Sequence, residues 1–504
     1  MLISPKYIGV FITLLISVSF SFAQKPKQIE LINANSLEFD NSSGVKAKKL
    51  IGNVQFKHEE VLMFCDSAYL FDESNSLNAY GHVRINQGDS LQLYGDSLFY
   101  DGNTKTAIVK NNIRLNNNDV NLTTNFLEYK REENLAYFIG GGTMYNKKEK
   151  TNLTSQQGYY NSTSKSFFFK KDVVLTHPEY KMKSDTLQYN SFSRVVYFHG
   201  PTTINLNDGT EIKCEGGFYN SITDQSKYYT KAEINSKQNM LKADTILYNK
   251  NGGIGIATCN VELIDTSENI IVTGDLAHIF DAKDSLMVTD NAIIIKEFEK
   301  DTLYMHADTF KVSADTAGNK ILYGYNHVKF FKPDMQGKCD SIYYAFADST
   351  IQFFNDPILW NNENQLTGEK MDLVLKNDEI HKLFIDKNAF IISYVDSAKY
   401  NQIKGKTIEG YFLENSLNNV DVTGNGQTIY YVQDDQKRYI GINKAESSNL
   451  RIYLSDNEIK KITFVKDPEG KLMPLNDVSE EELLLKGFIW KIEEKPLTRF
   501  DILN

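Results

Sequence analysis

The side chains able to do chemistry in this sequence recur instead of converging. An acid–hydroxyl pair stands at Asp66-Ser67, Asp96-Ser97, Asp185-Thr186, Asp244-Thr245, Asp308-Thr309 and Asp340-Ser341. A carboxylate beside a hydroxyl could serve a nucleophile if it occurred once, with a third group to orient it. Here the pair returns at one position of successive repeats, whereas an active site needs a unique constellation. Asp and Ser side chains also satisfy backbone donors at bends, so the pair reads as a turn element. The eight histidines (58, 82, 177, 199, 278, 306, 327 and 381) form no HExxH or other close ligand spacing. Cys65, Cys214, Cys259 and Cys339 are far apart, without the CxxC or Cys/His spacing of a zinc site, and read as small buried hydrophobes. No GxSxG elbow, Walker A loop or post-strand GxGxxG is present, and Gly140-Gly141-Gly142 and Gly252-Gly253 fall where turns are expected. The sequence therefore carries no enzyme signature and implies no metal or cofactor.

The elements that hold these pairs are set by an internal repeat. The phrase Cys65-Asp66-Ser67-Ala68-Tyr69-Leu70 returns as Gly95-Asp96-Ser97-Leu98-Phe99-Tyr100 and Ser184-Asp185-Thr186-Leu187-Gln188-Tyr189. Further copies start at Ala243, Ala307 and Cys339, and weaker ones at Asn35, Asn125, Gln156, Glu215, Asp275 and Glu369. Twelve anchors result, spaced 29 to 33 residues apart, with degenerate copies near Lys406 and Ser448. A second half begins about 16 residues after each anchor, as in Gly81-His82-Val83-Arg84-Ile85, Asn111-Asn112-Ile113-Arg114-Leu115 and Cys259-Asn260-Val261-Glu262-Leu263. Both halves alternate apolar and polar, the period of a half-buried strand. If each half is one bent strand, twelve units extend on the order of 110–120 Å.

The alternation assigns faces. Two and four residues after the anchors stand Leu98 and Tyr100, Leu127 and Tyr129, Leu187 and Tyr189, Ile246 and Tyr248. Second halves add Ile113 and Leu115, Val261 and Leu263. Stacked units place these twelve residues in apolar ladders on one inner face, with Phe99, Arg114, Gln188 and Glu262 on the outer one. Pattern alone leaves two readings open for the ladders: the wall of a groove, or a sealed core.

Composition agrees. With 41% hydrophobic residues a large core is possible, and 29 Tyr and 30 Phe favour strands. A net charge of −10 argues against nucleic acid as a partner. Residues 1–23 read as an export signal peptide: Lys6 precedes an apolar run from Tyr7 to Phe20, and Ser21-Phe22-Ala23 fits a cleavage site. Repeats occupy 24–400 and degenerate repeats 401–470, leaving 471–504 as a C-terminal element. There, Ser479 and Glu482 have capping-box spacing and Gly487 a stop, which predicts a short helix over 479–486 that caps the last rung together with Phe488 and Trp490, a partner-docking element being the alternative.

An Asp-Ser-Leu-x-Tyr phrase followed some 16 residues later by Gly-x-Val-x-Ile or Asn-Val-x-Leu resembles the organic-solvent-tolerance (OstA-like) repeat of the lipopolysaccharide-transport family. That family includes LptA and the N-terminal domain of LptD. The resemblance covers roughly residues 30–400. It implies an all-β, elongated β-jellyroll or β-solenoid of stacked antiparallel strands whose apolar trough holds the lipid A acyl chains of lipopolysaccharide. The twelve ladder residues would then line the lipid. It further implies a periplasmic location, possible association with the inner face of the outer membrane, and end-to-end strand pairing with other transport-bridge components. The chain would be a long stand-alone form without the outer-membrane barrel. A passive structural or surface solenoid is the alternative.

Overall fold

The computed structural model describes residues 27–503, except 41–45, 88–90, 118–119, 238, 378, 398, 415, 435, 456–457 and 476–477. The expected signal peptide lies outside the described residues. The rest is all-β and antiparallel, in two compact units: residues 1–149 with 157–163, and residues 150–156 with 164–504.

Within each unit the alternating sequence becomes strands of ten to twelve residues that turn back on their predecessors. In the first unit these run from Ala47–His58 through Val61–Phe71 and Ser76–Gln87 to Leu135–Asn146. In the second they run from Ser166–Thr176 to Ile270–Phe280, after which the corners divide them into shorter pieces such as Val328–Lys332 and Thr350–Phe354, until strands of 15 to 18 residues resume from Glu379–Asp396 to Tyr439–Ser455.

The strands of ten to twelve residues bend at their middle, and the repeat explains why. The ladder register shifts between Lys110 and Ile113, Lys170 and Val173, Tyr229 and Ala232, and Thr258 and Val261. The two skipped residues each take left-handed backbone, as at Asn111 (φ 63°) with Asn112 (φ 50°) and Gly81 (φ 74°) with His82 (φ 40°). Gly and Asn tolerate that region best, and the bulge bends the strand. The recurring acid sits on the adjacent strand and holds this corner. Asp96 Oδ2 accepts from Asn112 Nδ2 at 2.6 Å, and Asp244 Oδ2 from Asn260 Nδ2 at 2.9 Å. The pairs His82 with Asp66 (2.7 Å) and His327 with Asp308 (2.9 Å) repeat the arrangement.

Bending folds each strand into two leaves whose inner faces meet. Phe330, after its corner, packs on Phe353, before the next, at 5.8 Å between ring centroids. At the second position after the anchor, Ala68, Leu98, Leu127, Leu187, Ile246, Ala277, Phe310, Ile342 and Met371 are all buried. The outer Phe99 is 41% exposed.

The C-terminal helix expected over 479–486 does not form. The capping interaction is present, with Ser479 N–H donating to Glu482 Oε2 (3.4 Å), but it opens only one 3-10 turn, Glu480–Leu483. The next backbone groups are taken by a distant side chain: Gln402 Nε2 donates to Leu483 O and Gln402 Oε1 accepts from Leu485 N–H, both at 2.8 Å. Gln365 clamps Ile489 O (2.7 Å) and Lys491 N–H (2.8 Å) in the same way. With those groups bonded laterally, no i→i−4 ladder can continue. Only two further 3-10 turns follow, Ile492–Glu494 and Asp501–Leu503. The tail lies as a strap against strands, reaching back as far as Tyr304, whose hydroxyl accepts from Arg499 Nη1 at 3.3 Å. It covers Phe390, Ile392, Ile429, Tyr431 and Ile442, which join Met473 and Leu485 in one apolar cluster.

Candidate functional site

Inside the second unit the two leaves separate and enclose a cavity of about 700 Å³, lined from Glu179 to Phe346. Its wall is apolar, with Met182, Phe198, Ile204, Ile212, Leu241, Ile246, Val272 and Ile279 among the lining residues. These residues are inward-facing members of successive strands, so each repeat adds one patch of wall.

Polar groups gather where the hairpin turns form two lips. Tyrosines four residues after the anchors place their rings in the wall and their hydroxyls at one lip. Tyr219 donates to Asp224 Oδ1 at 2.9 Å, and Tyr248 to Asp281 Oδ2 at 2.5 Å. Burial and then the Asp281 carboxylate push the Tyr248 phenol up to about 12, and burial with Asp224 raises that of Tyr219. Both phenols are therefore neutral donors at ordinary pH. Two ion pairs span the mouth from lip to lip: Lys250 Nζ to Glu179 Oε2 (3.5 Å) and Lys320 Nζ to Asp265 Oδ2 (2.6 Å). Burial works to raise the Asp265 carboxyl, but hydrogen bonds from Lys320 and Ser267 outweigh it and hold its pKa below the ordinary value.

The first unit is different at the same level. Glu59 accepts from Arg131 Nη1 (2.7 Å) and pairs with Lys105 Nζ (3.1 Å), and Lys105 also meets Glu132 (2.5 Å). His58 Nδ1 lies 2.6 Å from the Tyr100 hydroxyl, and Tyr129 donates to Gln87 Oε1 at 3.0 Å. Behind these pairs the ladder residues Leu98, Ile113 and Leu127 are buried.

The twelve ladder residues all face inward but divide by surroundings. Leu98, Tyr100, Ile113, Leu115 and Leu127 are buried in the first unit, where Tyr129 is half-buried. Leu187, Tyr189 and Val261 are buried in the second. Ile246, Tyr248 and Leu263 line the cavity. Alternation alone does not place the widening of the leaves, although one cue exists. Ser226 and Gly255 line the cavity at the ladder position that Phe167 and Val196 fill in the preceding repeats. The acidic lips had no cue, since turns are polar in any β protein. Among the described residues no group of three or more His, Cys, Asp or Glu side chains is disposed to hold a metal ion.

Residues 26–185 match the family described as OstA-like protein, so the resemblance drawn from the repeats holds there. Among solved structures the chain is similar to LptH from Pseudomonas aeruginosa, described as the LptA-homologous periplasmic component of the conserved lipopolysaccharide transport device. Identity is 13% and the TM-score 0.22, over 23% of this chain and 95% of that one. No curated protein matches.

Proposed function

Starting from an OstA-like segment over residues 26–185, we propose that the chain carries an acylated lipid of the lipopolysaccharide class through the periplasm. Acyl chains lie in the cavity of the second unit, and the polar head stays at the lips. The observation that supports this most is the apolar cavity between bent leaves, edged by tyrosines whose rings face inward and whose hydroxyls face the rim. Tyrosine suits a boundary between hydrocarbon and water because one end of it is apolar and the other wet. Each acyl methylene removed from water gains about 0.8 kcal/mol, and the gain is non-directional, so a held chain can also slide. Such carriage needs no catalytic step. In the same reading, end-to-end strand pairing with other bridge components uses the first edge. Glu30–Asn33 and Ser36–Asp40 both pair with Ala47–His58 and expose Ile32, Leu37 and Phe39.

The ion pairs of Glu59 with Arg131 and Lys105 at the turns of the first unit favour a second reading for that segment, a structural solenoid that holds no lipid. Photo-crosslinking in cells tests both. A crosslinker at Leu263, in the cavity wall, should capture lipid, and one at its outward neighbour Glu262 should not. Capture at Leu98 as well would show that the first unit opens. Equal capture at Leu263 and Glu262, or none at either in a folded protein, would defeat carriage and leave the structural solenoid.

A further inference from the structure

The lips carry a charge that narrows the lipid. On one lip stand Glu179, Asp208, Asp265 and Glu268; on the other, Asp224, Asp281 and Asp284. Against these seven carboxylates the lining includes two cations, Lys250 and Lys320. Both are already engaged across the mouth, with Glu179 and Asp265. Asp224 and Asp281 receive only neutral tyrosine hydroxyls, which leaves their charge uncompensated. Asp208, Glu268 and Asp284 make no side-chain ion pair within 4 Å among the described residues, although Lys237 helps lower the Asp208 pKa and Lys296 Nζ donates to the backbone oxygen of Glu268 at 3.4 Å. Counting Lys237, Lys283 and Lys296 with the two lining cations still leaves seven carboxylates against five ammonium groups at the rim.

We infer that the cavity takes an acylated lipid whose head brings no net negative charge to the lips, a neutral or amine-bearing glycolipid, and disfavours one with several phosphates. The inference rests on the carriage reading and adds the head-group chemistry. Acyl chains of either lipid fit the same apolar wall, so discrimination falls to the rim, where like charges meet. Two unit charges about 8 Å apart in water repel by a factor of roughly two in binding. Counting only Asp208, Glu268 and Asp284, which no tyrosine hydroxyl engages, two phosphates make six such pairings, and screening at moderate salt reduces their product to about tenfold.

The test uses the full mature chain and two probes with identical acyl chains: a multiply acylated disaccharide without phosphates, and the same molecule with two. Each competes with a fluorescent fatty acyl probe in the presence of a chelator, so that no divalent metal can bridge phosphate to carboxylate. The unphosphorylated probe should bind about tenfold more tightly at low salt, with the gap closing as salt rises. The triple variant Asp208→Asn, Glu268→Gln, Asp284→Asn should narrow the gap by improving only the phosphorylated probe. If that variant does not fold, the salt titration of the unaltered chain decides. Equal binding of both probes, or a gap that neither salt nor the variant changes, overturns the head-group inference while leaving carriage intact. Failure of both probes to displace the fluorescent lipid overturns carriage itself.

Discussion

A carboxylate introduced at Leu187 and the same one introduced at Leu263 should behave differently, because one position is packed and the other opens on the cavity. Leu187 is 0% exposed and lies between Phe169 and Phe198 on the neighbouring strands, both fully buried. Leu187→Asp forfeits about 2 kcal/mol of apolar burial. It also sets an acid among rings that offer no cation. A rise of about three pKa units there costs roughly 4 kcal/mol at pH 7, for a total near 6 kcal/mol. Leu263 is only half-buried and lines the cavity, so water can reach a carboxylate placed there. A rise of at most about one unit and partial loss of burial make Leu263→Asp cost about 2 kcal/mol.

The pH dependence follows from the direction of the shift. A folded-state pKa above the unfolded one means the ionisation part of the penalty at 187 is absent below about pH 4, where the acid is neutral in both states and only the lost burial remains. It then grows as pH rises and levels off above the raised folded value. Hydrogen exchange in urea, read on the strands Ser166–Thr176 through Ile270–Phe280, measures both costs locally, which matters because stacked repeats need not unfold as one unit. Leu263→Asp should lose far less protection than Leu187→Asp yet lose lipid capture. Equal destabilisation at the two sites would refute the distinction between packed interior and open cavity.

Two further outcomes are expected. A bulky thiol reagent should label Cys259 in the native chain and spare Cys65, Cys214 and Cys339. The last three are buried with thiols pushed up by desolvation to about 12, 11 and 12, and mass spectrometry of the labelled peptides checks this. Gln402→Leu leaves Leu483 O and Leu485 N–H without partners at about 1–3 kcal/mol each, so the strap should become protease-sensitive after Val478 while the sheet keeps its circular dichroism; an unchanged digestion pattern would show that the clamp does not hold the strap.

The sequence determined what depends on local pattern. Strand alternation has a period of two, so it told inward residues such as Leu98 and Leu187 from the outward Phe99 without reference to any other strand. The 30-residue period fixed which chain positions would stack. The corner pairs Asn111-Asn112 and Cys259-Asn260 already stood at the start of each second half, although their left-handed backbone and their bond to the recurring acid emerged only in three dimensions. Tertiary structure decided what depends on distant partners. A capping box at Ser479 is a local signal, but Gln402 lies about 80 residues away and takes the groups a helix would have used. Alternation says that a side chain faces inward, and cannot say whether the opposing leaf reaches it. That depends on side-chain volumes contributed by other repeats, here shrunk at Ser226 and Gly255. The mouth is set over still longer range, by pairs 55 and 71 residues apart in the chain, Lys320 with Asp265 and Lys250 with Glu179. A charge on a turn is uninformative until the fold brings the opposite lip to within reach of it.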